Sequence, residues 1–166
     1  MKNFTSLVWM MAICAFSLTS CSKDSIEDFD TANLTAPTPP VAYTNIELDI
    51  LELVNEYRSD KGLSQLQFLD ESSVQAAAHN RHMIENNEIC HDFFGSRYEA
   101  LVKSVNAKAV SENVAAGYRT ADAVVNAWIK SDGHRKNLEG DHTHFGISVK
   151  ESSDGKLYFT NIFVKK

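Results

Sequence analysis

Cysteine is scarce. The chain of 166 residues carries three, Cys14, Cys21 and Cys90. The first two fall in an N-terminal stretch that reads as an export signal and its processing site, so Cys90 stands alone in the body of the chain. One thiol cannot make an intrachain disulfide framework. The core must hold the fold, which a domain of this size can do. Proline is equally sparse, and Pro37, Pro39 and Pro40 sit together. Positive charge is outnumbered, 16 Lys and Arg against 22 Asp and Glu, for a formal net charge of -6. No basic stripe is present, which argues against nucleic acid as a partner. The apolar run from Leu7 to Leu18 falls short of the roughly 20 residues that a membrane span requires. What remains, 43% hydrophobic and 23% charged, suits one soluble globular domain.

Residues 1–20 are expected to be a lipoprotein signal peptide. Lys2 gives a short positive start and an apolar run follows. Leu18-Thr19-Ser20-Cys21 resembles a bacterial lipobox, with cleavage before Cys21 and lipid on its sulfur. Residues 21–43 then read as the lipidated cysteine and a tether, acidic at first and proline-containing later, which favours extended backbone. The expected partner of this end is a membrane, reached through Cys21. The expected location is the cell envelope, at the outer membrane or the cell surface. The domain proper spans residues 44–166.

Thr44-Asn45-Ile46-Glu47 reads as a capping box. Ile50, Leu51, Val54 and Tyr57 then share one helical face, and Gly62 can take the left-handed position that ends the helix. Leu66 and Phe68 face the core from a connector. Asp70 is the expected N-cap of a second helix over 71–87, with Val74, Ala77, Ala78 and Ile84 as its apolar face. His79 and His82, three apart, point in similar directions and read as partly exposed helix surface. In the loop Cys90-His91-Asp92, neighbours point apart, so Cys90 reads as a small packed side chain, separate from His91. A short helix over 95–104 carries Arg97.

Glu112 sits among Val110, Val114, Ala115 and Ala116, so its carboxylate is expected to be at least partly buried. It then needs a histidine, an arginine or a metal as partner. Thr120 caps a third main helix whose apolar face is Val124, Val125, Trp128 and Ile129. His134 opens a short turn ending at Leu138. From Thr143 the period becomes two, with a hairpin turn at Ser153-Asp154-Gly155. The last strand is bulky on both faces, as in the centre of a covered sheet. His142 and His144 would share a face if their segment were extended, making an accessory metal pair conceivable; a solvated loop pair is the preferred reading.

These pieces, in this order, resemble the CAP superfamily (cysteine-rich secretory proteins, antigen 5 and pathogenesis-related proteins), and within it the bacterial SCP-like extracellular branch. The carriers are Leu53-Val54-Asn55-Glu56-Tyr57-Arg58, His91 with Phe94 and Arg97, and Glu112-Asn113-Val114-Ala115. Val124 to Ser131, Gly133-His134-Arg135-Lys136-Asn137-Leu138, Phe145-Gly146-Ile147 and Tyr158 to Phe163 complete the set. The resemblance implies an α+β fold, a three-layer α-β-α sandwich with a central, mostly antiparallel sheet. It also implies a cleft floored by two histidines and two acidic residues. His91, Glu112 and His134 match three of these, and Ser131 takes the fourth place. Asp132 stands where the bacterial pattern has proline, and its carboxylate beside His134 could make up for the missing acid. Reported roles in the family are lipid and sterol binding, divalent-metal binding and proteolysis.

The expected function is a non-catalytic binding module with a cavity made of His91, Glu112, Ser131 and His134. His91 and His134 are the candidate metal ligands, for Zn²⁺ or another divalent cation; a lipid, small molecule or protein are the other candidate partners. Two alternatives stand beside it. One is a metal-assisted hydrolase with Glu112, the single catalytic candidate, as general base. The other is a His-Glu cluster that is purely structural.

Overall fold

The computed structural model describes residues 40–166. The signal peptide, Cys21 and most of the tether lie outside the described residues. The elements are α1 (Asn45–Asp60), β1 (Gln67–Phe68), α2 (Asp70–Asn86), α3 (Phe94–Val105), β2 (Ala109–Ala116), α4 (Ala121–Lys130), α5 (Asp132–Leu138), β3 (His144–Glu151) and β4 (Leu157–Lys165).

The strand order is β1-β3-β4-β2. β4 pairs antiparallel with both β3 and β2, while β1 runs parallel to β3 over two residue pairs. Alternation along β4 divides its side chains between two helix layers. Phe159 and Phe163 face one way, onto a core with Ile50, Val54, Val124, Trp128 and Leu138 from α1, α4 and α5. Tyr158, Ile162 and Val164 face the other way, toward residues of α2 and α3 such as Ala76, Met83 and Leu101. The result is the expected α-β-α sandwich. β4 lies inside the sheet and is buried from Tyr158 to Val164, as its two-sided bulk predicts.

Polar side chains lock these layers. Glu47 Oε2 accepts from the backbone N and the hydroxyl of Thr44, both at 2.8 Å. Its Oε1 accepts from Val149 N at 2.7 Å, so the start of α1 is tied to β3. Arg58 is buried, and Nη1 donates to the carbonyls of Leu138 and Gly140 at 2.6 and 3.0 Å, fixing the end of α5. Gly62 ends α1 at φ +71° as expected.

α2 departs from the reading of its sequence. Asp70 is its first residue rather than its cap; the cap position is Leu69. Asp70 instead accepts from Val41 N and the Tyr43 hydroxyl, anchoring the last tether residues to the domain. Nor is the buried face the apolar one. Val74 is 43% exposed, and the buried residues are Ser72, Ser73, Ala76, His79, Asn80 and Met83. The cause is close approach. A Cβ on Gly146 would lie 2.2 Å from Ser72 Cβ, so α2 lies against β3 where only small side chains fit. Two of the buried polar side chains bond to the sheet. Asn80 Nδ2 donates to Ser148 O at 2.7 Å, its Oδ1 accepts from Thr160 Oγ1 at 2.6 Å, and Ser73 Oγ accepts from Ile147 N at 3.2 Å.

Candidate functional site

The site straddles β2, the edge strand opposite β1. Glu112 on β2 faces the α2–α3 layer, with its side chain 1% exposed. Burying a carboxylate requires partners, and it has them. Arg97 on α3 donates Nε to Oε2 and Nη2 to Oε1, both at 2.8 Å. This two-pronged, charge-assisted contact is among the stronger hydrogen-bonded pairs a protein can make. Arg97 Nη1 also donates to Asp92 O at 2.6 Å, so the same guanidinium shapes the loop before α3.

That loop delivers His91. Its Nδ1 lies 2.8 Å from Glu112 Oε1. Since an ionised carboxylate oxygen can only accept, Nδ1 carries a proton, and in the neutral ring Nε2 keeps its lone pair. The side chain is 53% exposed, so that lone pair is accessible to a ligand. Behind it, His79 Nε2 donates to Cys90 O at 2.9 Å and lies 3.8 Å from Glu112 Oε1. Burial holds His79 below its ordinary pKa, so it is neutral near pH 7 and the contact with Glu112 is not an ion pair. Its Nδ1 is buried without a partner among the described residues.

His134 comes from the other helix layer. Asn113 Nδ2 donates to His134 O at 3.1 Å, while Asn137 Nδ2 donates to Glu112 O at 3.0 Å and to Asn113 Oδ1 at 2.8 Å. These bonds fasten α5 to the backbone of β2 beside Glu112. Burial, and secondly the nearby charge of His91, hold the His134 ring below its ordinary pKa. The structure therefore sets His91 on the Glu112 carboxylate and fastens the backbone of His134 to the neighbouring residue of β2, while the groove that Ser131 and His134 line is bordered by neither His91 nor Glu112. Ser131 and His134 line a groove of about 330 Å³ with Ile89, Tyr118, Ala127 and Trp128. A similar hollow of about 350 Å³ beside Leu51, Asn55 and Phe68 holds no histidine and no part of this cluster.

Several expected placements differ. Asp132 does not supply the missing acid: its carboxylate takes Arg135 Nη2 at 2.7 Å and is 82% exposed. His134 lies inside a helix, α5, rather than in a turn. His79 is buried, not surface. His142 and His144 make separate contacts, because the strand begins only at His144. His142 Nε2 meets Ser111 Oγ at 3.1 Å and its ring stacks on Phe163, while His144 Nδ1 meets Thr143 Oγ1 at 2.8 Å. Sequence reasoning did not assign Arg97, His79, Asn113 or Asn137 to the site. The available signals were that Glu112, buried in an apolar run, needed a partner, and that Arg97, Asn113 and Asn137 stand in the motifs that carry the family resemblance.

Four histidines share one consequence. His79, His134 and His144 lie below their ordinary pKa, and His142 is lowered to about 4, first by burial and then by Arg58. In the unfolded chain each titrates near 6.5. Below that pH the unfolded state binds protons that the folded state refuses, so stability is full above about pH 6.5 and falls as the pH drops toward 4. Thermal melts at pH 7.5 and 5 should show this loss, and His142→Gln should flatten it. The share from His142 is about 1 kcal/mol once screening of its partly exposed ring is discounted. A melting temperature that does not change over this range would contradict the account.

The α-β-α sandwich is the fold that the sequence motifs imply, and the comparisons with known proteins agree. The profile of the Cysteine-rich secretory protein family, CAP, matches residues 51–164, and the chain belongs to that family. It is 35% identical over 123 residues to the uncharacterized protein YkwD of Bacillus subtilis, an alignment covering 71% of this chain and 48% of that one. The chain thus spans about half the length of that relative. An outer surface protein from Borrelia burgdorferi superposes with a TM-score of 0.68 at 23% identity, over 78% of this chain and 99% of that one. An extracellular SCP-domain protein from Bacillus anthracis gives 0.63 at 26% identity, over 77% and 45%.

Proposed function

We propose that this chain is an exported, envelope-anchored binding module whose His91 and His134 take a divalent metal, Zn²⁺ above all, or a small ligand in the adjoining groove. The observation that carries this is the commitment of Glu112. Its two oxygens already accept from Arg97 and His91, and its side chain is 1% exposed. A general base must reach the proton it removes, and this carboxylate is closed off from solvent water. It acts instead as the group that orients His91, in the manner of the carboxylate–histidine pairs that support metal sites.

The donor set suits Zn²⁺. His91 offers Nε2, and His134 is held neutral near pH 7, the form that ligates. A bound ion would supply Lewis acidity, with two protein ligands and the rest of its shell open to solvent or a ligand. The chain's own part is to orient the His91 ring through Glu112 and Arg97 and to hold the backbone of His134 through Asn113 and Asn137. The lipobox-like Leu18-Thr19-Ser20-Cys21 supports an anchor at Cys21, and loss of membrane fractionation in Cys21→Ser checks it. The extracellular and outer-surface descriptions of the similar structures favour export.

The test is a calorimetric Zn²⁺ titration of the full chain against His91→Ala with His134→Ala. The double variant should lose one binding event. Unchanged affinity and stoichiometry would reject the cavity as a metal site.

A further inference from the structure

We propose a second cation site, distinct from the His91–His134 pair, made by His82 on α2 with Cys90 and Asp92 in the loop before α3, and fitted to Zn²⁺ or a similarly borderline-soft divalent ion. The loop backbone sends alternate side chains to opposite sides. His91 turns to Glu112, while the residues before and after it turn to His82. One ligand atom from each of His82, Cys90 and Asp92 lies within 4.8 Å of the others. His82 Nε2 stands 3.5 Å from Asp92 Oδ2. In a tetrahedral zinc site with bonds of about 2.1 Å, neighbouring ligand atoms are about 3.4 Å apart. The nitrogen–oxygen edge therefore has the right length already. The sulfur edges close by small rotations of the Cys90 and Asp92 side chains, Asp92 being 62% exposed.

The chemistry of the set selects the ion. One imidazole, one thiol and one carboxylate form a mixed N, S, O donor group. A thiolate favours Zn²⁺ over Mg²⁺ or Ca²⁺, which take oxygen. Three protein ligands leave the fourth position to water. Binding forms a metal–sulfur bond and releases the thiol proton to solvent, so affinity rises with pH. The surroundings hold the imidazole in place. Phe93 packs its edge against the His82 ring at 5.2 Å, and His79 stacks on it at 6.0 Å. Asn86 Nδ2 lies 3.2 Å from His82 Nδ1. Ligation through Nε2 moves the ring proton to Nδ1 and gives up the Asn86 contact there, while Asn86 Nδ2 keeps its 2.8 Å bond to His82 O.

The site also joins α2 to the loop that Arg97 of α3 holds. His82 belongs to α2, and Asp92 O accepts from Arg97 of α3. An ion at His82, Cys90 and Asp92 would brace the loop that carries His91, from the side away from Glu112.

The experiment follows alkylation of Cys90 in the full chain under reducing conditions, by iodoacetamide and peptide-resolved mass spectrometry, which separates Cys90 from Cys14 and Cys21. Saturating Zn²⁺ should slow Cys90 alkylation at least about tenfold, and Mg²⁺ should not. His82→Ala should abolish that protection, as loss of a ligand predicts. His91→Ala with His134→Ala should keep it, which separates this site from the cavity. The proposal is overturned by an alkylation rate indifferent to Zn²⁺, by protection that survives His82→Ala, or by protection that disappears with His91 and His134.

Discussion

Glu112→Ala should lower the unfolding free energy by about 3–5 kcal/mol, the usual result of removing one partner from a buried ion pair. The cost comes from what is left behind. Arg97, with its side chain 7% exposed, would keep its charge without either of the carboxylate oxygens it now holds at 2.8 Å. His91 would lose its orienting acceptor at the same time. The melting temperature should fall by roughly 10 °C or more, on the scale of a few degrees per kcal/mol for a domain of this size. Removing both charges together, as Arg97→Met with Glu112→Leu, should restore much of the loss, because the penalty belongs to the unpaired charge. A loss below about 1 kcal/mol in Glu112→Ala would show that the pair is not buried as described.

Gly146→Ala should cost about 3 kcal/mol or more, at the upper end for an overpacked site. The added Cβ would meet Ser72 Cβ at 2.2 Å, Ser72 C at 2.5 Å and Ser73 N at 2.6 Å. Two of these are backbone atoms, so no side-chain rotation relieves the clash. α2 would have to lift from β3, stretching the bonds from Asn80 to Ser148 O and from Ile147 N to Ser73. Gly133 is the internal control. It lies in α5 beside His134, and a Cβ there meets nothing within 4 Å. Gly133→Ala should be neutral or stabilising by up to about 1 kcal/mol, from helix propensity alone. Urea unfolding of both variants checks the pair of values. Equal stabilities would contradict the close approach of α2 to the sheet.

The parts legible in the sequence were those governed by local rules. Thr120 accepts from Ala123 N as an N-cap should. Gly62 and Gly155 take positive φ where the helix and hairpin turn need it. The period-two stretches became β3 and β4. α2 was misread because an amphipathic pattern identifies a buried face by its apolar residues. Here the buried face is Ser72, Ser73, His79 and Asn80: Ser73 and Asn80 bond to strands 68–80 residues away in sequence, His79 bonds to the Cys90 carbonyl, and Ser72 is small enough to pack under Gly146. β1 was missed for a related reason: two residues pairing in parallel with a distant strand leave no local period. Within the site, the contact of His91 with Glu112 joins two of the positions that the family resemblance picked out, and the need of Glu112 for a partner followed from its apolar neighbours. That the partner is Arg97 did not follow, because pairing depends on how α3 packs beside β2. Asp132 failed as a substitute acid because Arg135, three residues on along α5, is the nearer cation.

The central claim is that Glu112 holds His91 with Nε2 free for a ligand. Long-range ¹H–¹⁵N correlation spectra of the imidazole rings in the full chain near pH 7.5 test it most directly. The account predicts that His91 is the Nδ1–H tautomer, with Nε2 unprotonated and shifting on addition of Zn²⁺. A neutral His91 carrying its proton on Nε2, and indifferent to Zn²⁺, would contradict it.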